Sequence, residues 1–224
     1  MVGTKELRIA VPSGSEVSAL LLRPPKAHCM LALAHGAGAG MRHAFLEELA
    51  SELAVTGVAT LRYQFPYMEQ RRKAPDKPAV LTATVQAAVN AAAQVAPGLP
   101  LFAGGKSMGG RMTSQAAALG LLPEIRGIIF FGFPLHPPKQ PGTKRADHLA
   151  QVEVPMLFVQ GTRDPLAPLD SIRGVSKKLG RRATLLVIES GDHSFHVPKK
   201  SGLSEAEVLR ELARSAADWA KNFA

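Results

Sequence analysis

A single cysteine, Cys29, stands in a chain of 224 residues. No disulfide can form within the chain, and a reducing compartment is the expected setting. Long apolar runs are missing too. No stretch approaches the ~20 apolar residues of a membrane span, and the opening MVGTKELRIAVPSG lacks the apolar core of a signal peptide. A cytoplasmic protein with no membrane contact is expected. No Cys and His grouping has metal-ligand spacing, so neither metal nor cofactor is called for. The net charge is +9, but no nucleic-acid-binding module accompanies it. The basic residues are scattered as Arg71-Arg72-Lys73, Lys177-Lys178, Arg181-Arg182 and Lys199-Lys200. They read as solvated surface, with an attraction for anionic substrates as the alternative. With 46% hydrophobic and 20% charged residues, the chain has globular composition. No linker or repeat divides it, so residues 1–224 are expected to form a single domain.

What is present is an alternation of short apolar runs and helical stripes. Residues 7–11 and 17–22 read as two strands around the turn Pro12-Ser13-Gly14-Ser15. Cys29-Met30-Leu31-Ala32-Leu33-Ala34 is nearly continuous in apolar character, which suggests a strand covered on both faces. Phe45, Leu49 and Leu53 then recur at helical spacing, and Gly57 is placed to stop that helix. Strands are expected at 58–62, 101–103, 128–131, 156–159 and 185–188. Helices are expected at 81–92, 108–119 and 169–179, and after Ser204, which forms a capping box with Glu207. Two strands followed by repeated strand–helix units predict an α/β protein. The expected form is a three-layer α/β/α sandwich around a mostly parallel sheet of about eight strands. Two irregular segments, 64–78 and 132–154, follow strand C-terminal ends, where such sheets carry their sites.

The stretch Gly104-Gly105-Lys106-Ser107-Met108-Gly109-Gly110-Arg111 admits two readings. A phosphate-binding loop would need glycine at position 100, which is Pro100, and Leu101-Phe102-Ala103 belong to a strand. His35-Gly36-Ala37-Gly38-Ala39-Gly40 fails as a dinucleotide fingerprint because Met41 stands where glycine is required. A nucleophile turn, Gly105-x-Ser107-x-Gly109, fits without exception. Serine would occupy a tight strand-to-helix turn, and side chains two residues either side would collide. A serine hydroxyl needs a base, and the base an orienting acid, in the chain order Ser, Asp/Glu, His. The strand at 156–159 leads to Gly161-Thr162-Arg163-Asp164, and the last strand leads to Gly191-Asp192-His193. Asp170, at a helix start, and Asp192, adjoining the histidine, are weaker acids. His196 is the rival base. Lys106 and Arg111 flank the nucleophile as candidate anion-steering or structural groups, and Cys29 reads as a buried inert thiol.

With these pieces the chain resembles the α/β-hydrolase superfamily over nearly its whole length. Within it, the likeness is to the small, lidless, dienelactone-hydrolase-like members. The matching stretches are His35-Gly36-Ala37-Gly38, Gly105-Lys106-Ser107-Met108-Gly109, Gly161-Thr162-Arg163-Asp164 and Gly191-Asp192-His193-Ser194-Phe195. The resemblance implies Ser107 as nucleophile, Asp164 as acid and His193 as base. It also implies an oxyanion hole from the backbone N–H groups of Ala37 and Met108, with Gly38 as the alternative; His35 reads as ordering that loop, with a base role as the alternative. Dienelactone hydrolases use a cysteine nucleophile and this chain has serine, so their substrate does not carry over.

The expected activity is cleavage of an ester-like acyl bond. A peptidase, an acyltransferase or a non-hydrolytic interaction protein on the same fold are the alternatives. Residues 131–156 are too few for a large cap. Arg62, Tyr63, Phe65, Tyr67, Arg71 and Arg72 on or near the first irregular segment, and Phe133, Leu135 and His136 at the start of the second, are the candidate substrate-binding residues. Their mix of aromatic and cationic groups suits a small-molecule acyl substrate, an anionic one included.

Overall fold

A computed structural model describes residues 3–12 and 14–224. Met1 and Val2 of the N-terminal stretch, and Ser13 of the expected first turn, lie outside the described residues. The chain opens with antiparallel β1 (Lys5–Ala10) and β2 (Glu16–Leu22). Then follow β3 (Cys29–Ala34), α1 (Ala44–Val55), β4 (Val58–Tyr63), α2 (Pro66–Glu69) and α3 (Pro78–Val95). The second half runs β5 (Leu101–Lys106), α4 (Met108–Ala118), β6 (Gly127–Phe131), β7 (Met156–Gly161), α5 (Leu169–Leu179), β8 (Ala183–Ile188) and α6 (Glu205–Lys221).

All eight strands join one sheet in the order β1-β2-β4-β3-β5-β6-β7-β8. β1 and β2 enter antiparallel, and from β4 to β8 every neighbouring pair is parallel. The alternation within a strand sorts the core into two layers. Cys29, Leu31 and Leu33 of β3 pack on the face covered by α1 and α6, with Leu49, Leu53, Leu212 and Trp219. Met30, Ala32 and Ala34 face the other way, with Val85 of α3, Met112 of α4 and Ile172 of α5. Both faces are covered, which is why β3 reads as uninterrupted apolar sequence.

The expected elements are all present, with three differences. β5 is twice the expected length and continues through Gly104-Gly105-Lys106. Those residues carry no apolar pattern, but pairing with β3 and β6 holds them in register. The first irregular segment contains α2, a single turn opened by Pro66. The second contains a 3₁₀ stretch, Lys144–Gln151, packed on α4.

The chain leaves β3 toward β4 on one side, while β5 lies on the other. The connections after β3 and β5 therefore diverge and open a crevice above their C-terminal ends. Residues 35–40 and Ser107 flank that crevice.

Candidate active site

Ser107 sits between β5 and α4 with φ 51° and ψ −114°. A non-glycine residue held there costs on the order of 1–3 kcal/mol. Its neighbours explain how the turn is enforced. A Cβ on Gly105 would lie 2.5 Å from the carbonyl oxygen of Ala34, and one on Gly109 would lie 2.6 Å from those of Ala34 and His35. Only glycine lets the turn press against β3. The Ser107 N–H donates to Phe131 O (3.2 Å), tying the turn to β6.

His193 arrives on the turn after β8. Its Nε2 lies 2.9 Å from Ser107 Oγ, and its Nδ1 lies 2.7 Å from Asp164 Oδ2. Asp164, after β7, is buried. Its carboxylate also accepts from the Leu166 N–H (2.8 Å) and from the Gln160 side-chain amide. Gln160 is buried at the end of β7, and its Oε1 accepts from the Phe133 N–H at 3.1 Å. Sequence reasoning passed over Gln160. Its signal was a lone amide closing the apolar run Met156-Leu157-Phe158-Val159.

The rival residues are engaged elsewhere. Asp192 accepts from the N–H groups of Ser194 (2.8 Å) and His196 (3.0 Å), shaping the turn that carries His193. His196 is exposed and meets Glu205 at 2.6 Å. Asp170 lies at the exposed start of α5, 3.6 Å from Arg173.

The loop after β3 faces the serine. Among the described residues, no acceptor meets the backbone N–H of Ala37 or of Met108. The Gly38 N–H is committed, donating to Tyr67 Oη at 3.0 Å. His35 is buried, and the Phe65 N–H donates to its Nε2 (3.1 Å), so Nδ1 carries the proton and donates to Gly36 O (2.7 Å). Burial pushes the His35 pKa down to about 4, so the ring is neutral and binds the loop to the exit of β4.

A cleft of about 500 Å³ opens beside Ser107 and His193, walled by Phe45, Leu46, Phe195 and Leu209 from the α1 and α6 side. Lys106 also lines it. None of the nine residues singled out for substrate binding does. Tyr63, Phe65, Tyr67, Phe133 and Leu135 are fully buried packing residues, and His136 is nearly so. Arg62 is buried and reaches Met41 O (3.1 Å) and Glu47 (3.4 Å). Arg72 pairs with Asp76, and Arg71 borders a separate depression with Gln64 and Met68. The physical reason is directional. The segment after β4 is bonded to the loop after β3, with the Phe65 N–H donating to His35, the Gly38 N–H to Tyr67 and the Met41 N–H to Gln64, so Phe65 and Tyr67 pack against His35 instead of lining the cleft. Among the described residues, no group of three or more His, Cys, Asp or Glu could hold a metal ion, and no helix is long and apolar enough to cross a membrane.

A family model described as an alpha/beta hydrolase domain matches residues 27–221. Among solved structures, a dienelactone hydrolase from Anabaena variabilis is similar, with a TM-score of 0.79 at 19% identity. That match covers 99% of this chain and 98% of the other. A lidless α/β serine hydrolase from Xanthomonas campestris gives 0.72 at 19% identity, over 95% and 94% of the two chains. An esterase from an Arctic intertidal metagenomic library gives 0.72 at 19%, over 99% and 94%. At such identities the likeness is one of fold.

Proposed function

Because the chain belongs to the alpha/beta hydrolase family, we propose that it is a serine hydrolase that cleaves an ester-like bond of a small acyl substrate through an acyl-enzyme. The observation that carries this reading is the continuous hydrogen-bonded chain Ser107–His193–Asp164 at the floor of an open cleft. In it, His193 Nε2 takes the Ser107 proton as Oγ attacks the substrate carbonyl. The tetrahedral oxyanion is held by the N–H groups of Ala37 and Met108, at the N-terminal end of α4 where the helix dipole adds to the donors. Collapse expels the alcohol, which takes the proton from His193. Water, deprotonated by the same ring, then releases the acid and restores Ser107. Asp164 keeps Nδ1 protonated and stabilises the imidazolium, and Gln160 and Leu166 keep Asp164 in place.

The reading takes the chain as a single domain without a large cap, acting in a reducing compartment. Only the 3₁₀ stretch Lys144–Gln151 has regular structure between β6 and β7. The apolar cleft wall suits an acyl chain, and neither Arg71 nor Arg72 borders it. A fluorophosphonate probe at neutral pH, read by intact mass, is expected to add once, at Ser107, and Ser107→Ala to abolish the adduct. Failure to label would favour the non-hydrolytic alternative. A panel of ester, thioester and peptide substrates separates esterase from peptidase, and an added alcohol acceptor reveals acyl transfer. Ser107→Ala and His193→Ala are each expected to lower kcat about 10⁴- to 10⁶-fold, with the double variant little worse than either.

A further inference from the structure

Lys106 immediately precedes the serine, and its half-buried side chain runs along the cleft toward the turn that carries His193. Its ammonium donates to the backbone carbonyl of His193 (2.5 Å) and lies 5.5 Å and 6.0 Å from the ring centroids of Phe195 and Phe45. Those two rings stack on each other at 5.8 Å with planes 13° apart. Two glycines mark how closely the chain packs around it. A Cβ on Gly132, at the end of β6, would sit 3.1 Å from Lys106 Nζ, and one on Gly36 would sit 3.7 Å from Lys106 Cγ. One side chain thus touches the loop after β3, the end of β6, α1 and the turn that carries His193.

No carboxylate lies within ion-pair distance of this ammonium among the described residues. Burying an ammonium without a counter-ion is costly, and burial pushes its pKa down to about 8 against the opposing pull of Asp164 and Asp192. Methionine would fill the same volume without that cost. What the ammonium supplies and methionine cannot is a charged donor to the His193 carbonyl, and no other donor among the described residues meets that oxygen. The rest of the turn is braced from within by Asp192, and at its far end by the exposed pair His196–Glu205.

We propose that Lys106 is a positioning residue that clamps the His193 turn onto the nucleophile turn, so that His193 Nε2 stays aimed at Ser107 while the ring gains and loses its proton. The clamp closes a short ring: Ser107, its peptide link to Lys106, the ammonium, the His193 carbonyl and the imidazole back to Oγ. Phe45 and Phe195 seat the ammonium by cation–π attraction and bring the wall of the cleft into the same lock. The functional part of the proposal rests on the serine-hydrolase reading. The clamp itself does not.

The test compares wild type with Lys106→Met and Lys106→Cys. Hydrogen exchange of the peptide spanning 189–197 is expected to be faster in both variants, with exchange in β3 and β7 unchanged. On a neutral p-nitrophenyl ester, kcat is expected to fall about 10- to 100-fold, as for a misaligned base, with KM within about threefold. Alkylating Lys106→Cys with 2-bromoethylamine rebuilds a lysine-length ammonium and is expected to restore slow exchange and most of kcat. The uncharged analogue made with bromopropane is expected to restore neither. Unchanged exchange and kcat in Lys106→Met, or equal rescue by the propyl group, would overturn the clamp. Should Lys106→Met fail to fold, the two alkylated forms of Lys106→Cys still decide between charge and bulk. Should wild type neither hydrolyse esters nor label at Ser107, the catalytic reading falls, and the exchange data alone judge the clamp.

Discussion

Tyr67 ties the segment after β4 to the loop facing Ser107 without lining the cleft. Its backbone N–H donates to Asp76 (2.9 Å), Asp76 pairs with Arg72, and its hydroxyl accepts from the Gly38 N–H. These links run from the segment after β4 into the loop facing Ser107. Tyr67→Phe removes the acceptor of the exposed Gly38 N–H, a net loss of about 1 kcal/mol in local order. The expected outcome is a three- to thirtyfold fall in the phosphonate labelling rate of Ser107, measured under pseudo-first-order conditions, with the thermal midpoint moved by only about a few degrees. Replacing Arg71 or Arg72 is expected to shift KM for anionic and neutral esters alike, because Arg72 acts through Asp76 and Arg71 lies outside the cleft. A large shift confined to the anionic ester would instead put an arginine against substrate. Cys29 tests burial directly. Burial pushes its thiol up to about 12, so thiol reagents at pH 8 are expected to leave it unmodified until the protein unfolds. At this scale the sequence was uneven. Ser107 and its flanking glycines announced themselves by spacing. Gln160, Tyr67 and the role of Lys106 did not, because each depends on which backbone group a side chain meets across the sheet edge.

The elements were the most legible layer. α5 ends at Gly180, and α6 opens with the expected reciprocal bonds between Ser204 and Glu207. Ser204→Ala is expected to cost ~1 kcal/mol, read from the urea midpoint at constant slope. The turn between β5 and α4 is far less tolerant. A methyl on Gly109 meets two backbone oxygens at 2.6 Å, neither of which can rotate away. Gly109→Ala is therefore expected to lose ~3 kcal/mol or more, or to fail to fold. Near-normal stability would mean that β3 and the turn can separate, contrary to the close approach of Gly109 to Ala34 and His35. Where the sequence under-read an element, the cause was pairing. Gly104-Gly105-Lys106 has no strand propensity of its own, yet β3 and β6 on either side make it the end of β5.

At the scale of the whole molecule, two histidines outside the Ser107–His193–Asp164 chain set an acid limit. His35 and His148 are both pushed down to about 4, chiefly by burial, with Arg111 adding to the effect on His148. Unfolded, each would titrate near 6.5. Below that pH the unfolded chain binds protons that the folded one does not, so stability is full above about 6.5 and falls as pH drops toward about 4, by up to ~1.4 kcal/mol per pH unit for each histidine. Urea midpoints between pH 7 and 4.5 are expected to show this slope, and His148→Gln to remove about half of it. The sequence by itself determined the α/β alternation, the two-sided burial of the central strands and the chain order of serine, aspartate and histidine, because each is written in local spacing and composition. Tertiary structure decided which aspartate meets His193, and that the cleft opens toward α1 and α6 instead of toward the segment after β4. Those outcomes depend on the order of strands in the sheet. The divergence of the connections after β3 and β5 chooses which loops become neighbours, and no local pattern encodes it.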